Sequence, residues 1–508
     1  MKKKTILVSA LSLFMMVGFV SCGDDNEVIP NPNPGTETNY VKGTDTDGKT
    51  TYNKLLFDEN GNPDEKGIVI GNGEKEMVFK GKETLAKGTY LLKGWIYVAD
   101  GSELTIEAGT IIKGDKETQA CLIVEPGGKL IAKGTKETPI VFTSEQPKGQ
   151  RKPGDWGGLI LCGNAKNNQG VQQIEGGPRT KHGGDNDADN SGILSYVRVE
   201  FAGYPFQKDK EINAITFGSV GNGTQVDHLQ VSFSNDDSYE WFGGCVNAKY
   251  LVAYSGWDDD FDTDNGFSGN VQYGLVVHYP RLADTSQSNG FESDNCADGA
   301  EVSPFTTATF SNITFIGPKA YDGFLNTNDY INGGEYYPNN GSSLGKFQAA
   351  MQIRRSSHLA CFNSIAVGYP IGLIVDGEKG NTVQFAKDGN LKLQNIIFAG
   401  MDAVGTDKNK QYEDLPYEDG KEYSFSHEYF INQPGNLVFD NCSDLLLKDA
   451  RNVGAGYLPQ FGSPVLNAAA WNDAALSSFE KVDYVGAFGS DDQWLEGWTN
   501  FDPNHTDY

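Results

Sequence analysis

An internal repeat is the feature that most limits what this chain can fold into. Shifted by 22 residues, the stretch that starts at Val226 matches itself in residue class, and the matched pairs are Leu229 with Leu251, Asp236 with Asp258, Asp237 with Asp259, Tyr239 with Phe261, Glu240 with Asp262 and Gly244 with Gly266. A third copy, 289–295, matches 259–265 at a shift of 30, and we interpret Asp322-Gly323-Phe324 as a fourth copy that has lost its acids. A unit this short cannot bury its own apolar face, so successive copies must stack as coils of a solenoid.

Weaker repeats extend this pattern in both directions. The segment 101–109 is echoed by 127–134, and 312–317 recurs as 395–400. Glycine is abundant (62 residues), helical periodicity is weak, and short runs of Val, Ile, Leu and Phe alternate with turn residues. The consensus of a leucine-rich repeat is missing, and a propeller blade would need about twice this period. The sequence therefore predicts an all-β chain folded as a parallel β-helix, in which the longer intervals are loop insertions.

The N-terminus has the pattern of an export signal. Three lysines after Met1 precede an apolar run over 6–20 that is too short to span a bilayer. The run ends at Phe19-Val20-Ser21-Cys22, which resembles a bacterial lipobox, although Phe19 replaces the usual leucine. The resemblance implies that 1–21 is a lipoprotein signal peptide and that Cys22 carries the acyl chains, palmitate among them, of a stable membrane anchor. Residues 22–50, acidic and then rich in Pro, Asn and Gly, are predicted to be a flexible tether.

Three phrases carry a resemblance to a known family. They are 155–160 (DWGGLI), 240–244 (EWFGG) and 484–489 (YVGAFG), the last followed by Trp494 and Trp498. They resemble a largely uncharacterised family of surface lipoproteins with a β-helix from Gram-negative gut and marine bacteria. The resemblance implies a right-handed parallel β-helix over 51–430, with C-terminal coils and a cap over the last coil in 431–508. It also implies a lipid-anchored protein of the outer membrane that faces outward.

Charge and cysteine content exclude several classes of protein. The formal charge is −27, and it is more negative still without the three signal-peptide lysines. Such a chain is a poor partner for nucleic acid or anionic lipid surfaces, and it suits cations, basic partners or simple solubility. Six cysteines follow Cys22 without a C-x-x-C pair, which leaves a zinc ribbon unsupported. Cys121 and Cys162 lie in apolar runs and are predicted to be buried free thiols.

One candidate calcium site is local in sequence. Asp185, Asp187 and Asp189 stand at alternate positions of a loop, and calcium takes six to eight oxygen ligands that such loops supply. Tyr196 occupies the position of the bidentate glutamate, so the segment is not an EF-hand. The alternative is a solvated acidic turn.

The second candidate is the ladder of acids that the repeat produces. Its members are Asp236, Asp237, Glu240, Asp258, Asp259, Asp260, Asp262, Asp264, Glu292 and Asp294. In stacked coils these acids recur about 4.8 Å apart, and such crowding raises their pKa values unless a cation or a hydrogen bond intervenes. Three readings remain open: turn capping, calcium binding through Asp258, Asp260 and Asp264, or catalysis, for which Asp259 and Asp262 are weak candidates.

Aromatic and basic residues near the ladder add ligand-binding candidates. Trp241 and Trp257 occupy non-repeating positions, and we expect them to be exposed platforms that bind a ligand together with Glu240, Glu292 and Asp294. Arg354 or Arg355 could supply the base of a lyase only if its coil lies beside the acids. The alternative is an ion pair with those acids.

These observations predict a lipid-anchored surface protein that captures a nutrient, a glycan or a cation with no catalytic step. A role beside an outer-membrane transporter rests on analogy alone. The alternatives are a polysaccharide lyase or glycoside hydrolase built on the same β-helix, and an adhesin.

Overall fold

The computed structural model describes residues 42–44, 50–52, 56–57, 63–64, 68–71, 73, 76–205, 211–338, 340–416, 420–449 and 455–508. The predicted signal peptide, Cys22 and most of the predicted tether lie outside these residues. At the C-terminal end of the predicted tether, Lys42–Thr44 forms a strand that pairs antiparallel with Thr50–Tyr52. Within the described part of the chain, no helix has the length and apolar character needed to cross a membrane.

One face of the molecule is a sheet of eleven parallel strands, which we call the first face. Its strands are Met77–Phe79, Trp95–Val98, Cys121–Val124, Gly158–Cys162, Ile215–Gly218, Tyr239–Phe242, Phe261–Asp264, Phe291–Ser293, Ala349–Ile353, Ile371–Val375 and Ala403–Thr406. Each strand pairs with the equivalent strand of the next coil, so the coils stack in register.

The rest of the wall is a second sheet of seventeen strands. These are Lys42–Thr44, Thr50–Tyr52, Ile68–Ile70, Lys82–Leu85, Thr89–Leu92, Glu103–Ile106, Ile111–Gly114, Lys129–Lys133, Ile140–Ser144, Gly192–Glu200, Gln225–Ser232, Asn247–Tyr254, Asn270–Val277, Thr309–Ile316, Ala360–Val367, Lys392–Ala399 and Leu437–Phe439. Short pairs at Leu56–Phe57 with Pro63–Asp64 and at Gln172–Gln173 with Lys181–His182 lie outside both sheets. The predicted all-β parallel β-helix is confirmed.

The register confirms the main repeat and corrects its last copy. Tyr239 pairs with Phe261 and Phe261 with Phe291, as the shifts of 22 and 30 require. The next partner of Phe291 is Met351, and Phe324 is not part of this column. Phe324 instead packs against Phe347 within the insertion that separates the two coils. The fourth copy in the sequence is therefore a loop turn.

Inward side chains of the first face fill the solenoid. Tyr239, Phe261 and Phe291 are fully buried, with ring centroids 5.7 and 5.8 Å apart along the column. Because side chains alternate across a strand, the residue that follows each of these aromatics on its own strand faces outward. Stacking equivalent aromatics adds about 0.5–1.5 kcal/mol per pair beyond the burial of their area.

A column of residues in the left-handed backbone region forms one corner of the coils. Its members are Tyr196, His228, Tyr250 and Tyr273, followed by Asn312, Asn363 and Asn395. This conformation costs about 1–2 kcal/mol for a residue with a Cβ. Stacked rings offset that cost in the first group, with centroids 4.2 Å apart for Tyr196 and His228. In the second group the Asn395 amide donates to Asn363 Oδ1 at 2.6 Å.

The C-terminal segment 455–508 runs back along this corner. Asn395 and Asn363 donate to Ala468 and Ala470, the Trp498 ring lies edge-on to Tyr196 and His228, and the far end reaches Lys113 through Tyr508. The expected position of the phrase 484–498 over the last coil is therefore wrong. A short helix, Phe425–Ile431, covers that coil instead, and its Phe430 stacks on Phe398 at 3.9 Å.

The remaining elements are short and lie in loops or the C-terminal segment. They are the helix Thr382–Lys387 and the 3-10 turns Pro318–Ala320, Gly334–Tyr336, Cys442–Leu445, Ala455–Tyr457, Ala474–Leu476 and Pro503–His505. All six cysteines after Cys22 are free thiols in this structure, and Cys121 and Cys162 are fully buried, as predicted.

Candidate functional site

The outward positions of three neighbouring strands on the first face carry acids. Glu240 pairs in register with Asp262, and Asp262 pairs with Glu292. The ladder predicted from the repeat is therefore present for these three residues. The next position in the column is Gln352, so the run of acids ends there.

These acids line a cleft of about 440 Å³. The charged residues around it are Glu175, Glu211, Asp236, Asp237, Glu240, Asp258, Asp259, Asp262, Glu292, Arg354 and Lys410. Nine acids thus face two basic residues. Glu175, Glu211 and Lys410 come from loops outside the repeat, and the sequence analysis missed them for that reason.

Two aspartates of the cleft also hold the backbone of the next coil. Asp237 Oδ1 accepts the Asp259 N–H at 2.9 Å. Asp259 Oδ1 accepts the Asn289 N–H at 2.6 Å and the Asn289 amide at 3.0 Å. One oxygen of each aspartate therefore caps the backbone of the next coil, as the capping interpretation predicts. Asp259 is a weaker catalytic candidate for this reason, because its Oδ1 already accepts two hydrogen bonds.

Two groups of three acids converge within the cleft. The first trio is Asp236, Asp237 and Asp258, and the second trio is Asp237, Glu240 and Asp262. In each trio, one oxygen from every member lies within 4.8 Å of the others. Asp237 belongs to both. The donor set contains carboxylates alone, which suits hard cations such as calcium or magnesium and not zinc or copper.

The electrostatics of the cleft resist full ionisation of these acids. Burial, followed by repulsion from Asp236, Asp262 and other neighbours, raises the pKa of Asp237 well above its usual range. Burial and the charge of Asp262 raise the pKa of Glu240 in the same way. Without a cation, the carboxyls of the cleft therefore hold protons that exposed acids would have lost.

Several oxygens at the cleft accept no hydrogen bond from the described residues. Among them are Oδ1 of Asp258 in the first trio, Oδ1 of Asp262 in the second trio, and Oδ1 of Asn213. Asn213 is 2% exposed and lines the cleft, and its amide nitrogen donates to Glu240. A buried oxygen left without a donor costs about 1–3 kcal/mol, so its position calls for a ligand.

The arginines at the end of the ladder are ion-paired. Arg354 bonds Glu292 and, at 2.8 Å, Asp294, and Arg355 contacts Asp294 at 2.6 Å. Burial alone would lower the pKa of Arg354, but Glu292 and Asp294 outweigh it and hold that pKa well above its usual value. Arg354 lies beside the acids as the lyase hypothesis required, but its charge makes it a poor base.

The expected aromatic platforms are buried. Trp241 is 0% exposed and stacks between Phe217 and Phe267 inside the solenoid, with centroids 5.7 and 5.3 Å away. Trp257 is also 0% exposed, and its ring N–H donates to Asp284 at 2.9 Å. The prediction that these two side chains bind a ligand at the surface is wrong, because one points inward and an insertion covers the other.

The predicted calcium set of Asp258, Asp260 and Asp264 is divided among three places. Asp258 lies in the cleft, whereas Asp260 is fully buried with its carboxylate 3.1 Å from His278 Nε2. Burial raises the pKa of Asp260 and lowers that of His278 to about 3, so neither group is ready to ionise. Asp264 lines an adjoining groove. These three residues therefore do not share one ion.

In the acidic loop, two of the three aspartates bond separate neighbouring side chains. Asp187 pairs with Lys166 at 2.6 Å, and Asp189 accepts a hydrogen bond from Asn164 at 3.3 Å. Asp185 is exposed. Among the described residues, the two groups of converging acids include none of the three.

Two grooves continue the cleft on either side. One, about 580 Å³, contains Asp264, Phe242, His182 and several glutamines, and it shares Glu175 with the cleft. The other, about 690 Å³, shares Glu211, Asp236 and Asp258. Burial and the nearby Asp294 raise the pKa of Asp264 to about 7.

Comparison with known proteins supports the fold and the family. The sequence profile of the pectate-lyase-like β-helix domain matches residues 77–429, which contain every strand of the first face and the whole acidic cleft. No curated protein and no solved structure matches the chain. With more than half of its length matched, the chain belongs to the pectate-lyase-like β-helix domain family.

Proposed function

We propose that this chain is a surface lipoprotein that captures a hard divalent cation, of the calcium class, in the acidic cleft. The observation that carries the proposal is the pair of converging carboxylate trios in a cleft lined by nine acids and two bases. So many buried acids repel one another unless protons or cations neutralise them. The unpartnered oxygens of Asp258, Asp262 and Asn213 add ligand atoms that no described donor satisfies.

The proposed setting comes from the N-terminal sequence. A lipid on Cys22 and a flexible spacer would hold the β-helix outside the outer membrane, where it meets cations and nutrients first. Delivery to an outer-membrane transporter is the natural continuation of this proposal. Two-hybrid capture or co-purification of the acylated protein from membranes tests that step.

Titration of the chelated protein with calcium and magnesium tests the central proposal. We expect saturable calcium binding by calorimetry and a higher melting temperature, because a ligand that binds the native state stabilises it. The matched control is Asp187→Asn, which removes an acid from the loop and leaves the cleft intact. The absence of binding by either ion to the wild-type protein would refute the proposal.

A second candidate function is hydrolysis or elimination on a polysaccharide. The family match and Asp264, whose pKa of about 7 suits a general acid, favour it. The groove around Asp264 offers amide side chains and Phe242 as sugar contacts. Incubation with polyuronides and neutral glycans, followed by assays for reducing ends and unsaturated products, tests this candidate. Loss of product formation in Asp264→Asn with retained folding would support it, and no product from any glycan would reject it.

A further inference from the structure

We infer that the cleft binds two cations, with Asp237 as the ligand they share. This inference rests on the proposed cation capture and specifies its stoichiometry and ligands. Asp236 and Asp258 complete one site, and Glu240 and Asp262 complete the other. Asp237 contributes an oxygen to both trios, so the two sites are neighbours and not independent positions in the cleft.

Charge is the first argument for two ions. The two trios contain five carboxylates, and a single divalent ion would leave three negative charges unbalanced in a buried cleft. Two ions leave one negative charge among the five carboxylates. One oxygen from every member of a trio lies within 4.8 Å of the others, so these carboxylates repel one another at close range. Two ions remove that repulsion without requiring protonation.

The distribution of unpartnered oxygens is an independent argument. Each trio has its own: Asp258 Oδ1 belongs to the first and Asp262 Oδ1 to the second. Asn213 adds a neutral oxygen beside Glu240, and the hydrogen bond that its side-chain N–H donates to Glu240 holds it there. Asn213 is 2% exposed, so it reaches the cleft as a buried side chain and not as a surface amide. Amide oxygens are ordinary ligands of calcium, which places Asn213 in the second site.

The cleft has room for both ions with their remaining water ligands. Its volume is about 440 Å³, whereas one water takes about 30 Å³ in the liquid. The hydrogen bond from the Asp259 N–H to Asp237 Oδ1 does not prevent coordination, because a carboxylate has about four lone-pair sites. That bond fixes the orientation of the shared ligand before any ion arrives.

Counting bound calcium tests the inference. Equilibrium dialysis of the folded, full-length protein, followed by metal analysis, should give two ions per chain. Asp236→Asn and Asp262→Asn should each retain one, and Asp237→Asn should lose both or retain only weak binding. Asp187→Asn is the control and should retain two. Asparagine keeps the size of aspartate and still accepts the Asp259 N–H at position 237.

Each outcome decides the question. One ion in the wild-type protein overturns the shared-ligand inference and leaves cation capture standing, whereas no ion refutes both. If Asp237→Asn does not fold, the double variant Asp236→Asn with Asp262→Asn replaces it. Two sites predict that this double variant loses both ions, while a single site elsewhere predicts that it still binds one.

Discussion

Two acid-rich regions of this molecule look alike in sequence and differ in three dimensions. The loop 185–190 places three aspartates within five residues, yet Asp187 pairs with Lys166 and Asp189 with Asn164. Seven of the nine acids of the cleft come from three consecutive coils, and in two trios of them one oxygen from every member lies within 4.8 Å of the others. Density along the chain therefore does not make a cation site, because Asp187 and Asp189 bond separate partners. The register between successive coils does make such a site, because it fixes the distances between the carboxylates before any ligand binds.

The comparison extends to the arginines and lysines that accompany each region. Lys166 is half exposed beside Asp187, and water screens that pair. Arg354 is largely buried between Glu292 and Asp294, where solvent cannot replace its charge. The same type of ion pair should thus have very different energetic weight in the two regions.

Removal of Arg354 should have the largest effect. Arg354→Ala leaves Glu292 and Asp294 buried without their main counter-charge, and the loss of one partner from a buried pair costs about 3–5 kcal/mol. Urea unfolding followed by tryptophan fluorescence measures this cost. Lys166→Ala is the matched control and should cost far less, because water screens that exposed pair. Equal costs in the two variants would show that burial does not distinguish the two regions.

Calcium should stabilise the protein through the cleft alone. At a free concentration one hundred times the dissociation constant, one bound ligand adds about 2.7 kcal/mol of native-state stability. We expect a matching rise in the melting temperature of wild-type protein and of Asp189→Asn. Glu240→Gln should reduce the rise. A full loss of the rise in Asp189→Asn would move the cation site from the cleft to the loop.

The groove beside the cleft and the acidic loop should respond to pH with opposite signs. Burial raises the pKa of Asp264 from 3.8 to about 7, so stability from its protonated form is complete below about pH 4 and is lost as the pH rises to about 7. The hydrogen bond from Lys166 lowers the pKa of Asp187, so its small contribution is present above pH 4 and is lost as the pH falls. In chelator, wild-type stability should therefore decline from about pH 4 to about pH 7, and Asp264→Asn should flatten that decline. A flat wild-type profile in urea unfolding would contradict the raised pKa values.

The repeat alone was enough to predict the ladder of the site. The shift of 22 residues fixes Tyr239 over Phe261 and Glu240 over Asp262, and the structure has that register. Strict alternation would also have placed Trp241, two residues after the inward Tyr239, inside the solenoid. The prediction that Trp241 is exposed rested on its non-repeating position. It is wrong because the alternation of side chains along the strand is the stronger signal.

Other parts of the site depend on loops whose paths the sequence does not encode locally. The insertion between Ser293 and Ala349 brings Arg354 onto Asp294 from 60 residues away. The same insertion supplies Tyr336 and Leu344, which cover Trp257. Asn213 reaches the cleft from a coil without acids in its strand, so no acidic pattern marks it. The C-terminal segment is held in its reversed path by hydrogen bonds that the side-chain amides of Gln230 and Asn363 donate to backbone carbonyls of that segment. No periodicity in the sequence predicts these long-range bonds.

The smallest expected effect is that of a substitution at Asp185, and it tests most directly whether the acidic loop contributes to calcium binding. Asp185 is exposed, and the structure brings it into neither trio of converging acids. Asp185→Asn should therefore change the free energy of unfolding by no more than about 0.5 kcal/mol, as surface substitutions usually do. Calcium stoichiometry should also stay at the wild-type value, measured by the same dialysis. A lost ion in this variant would mean that the loop rearranges to gather its three aspartates around calcium. The close spacing of aspartates in the sequence would then predict a cation site after all.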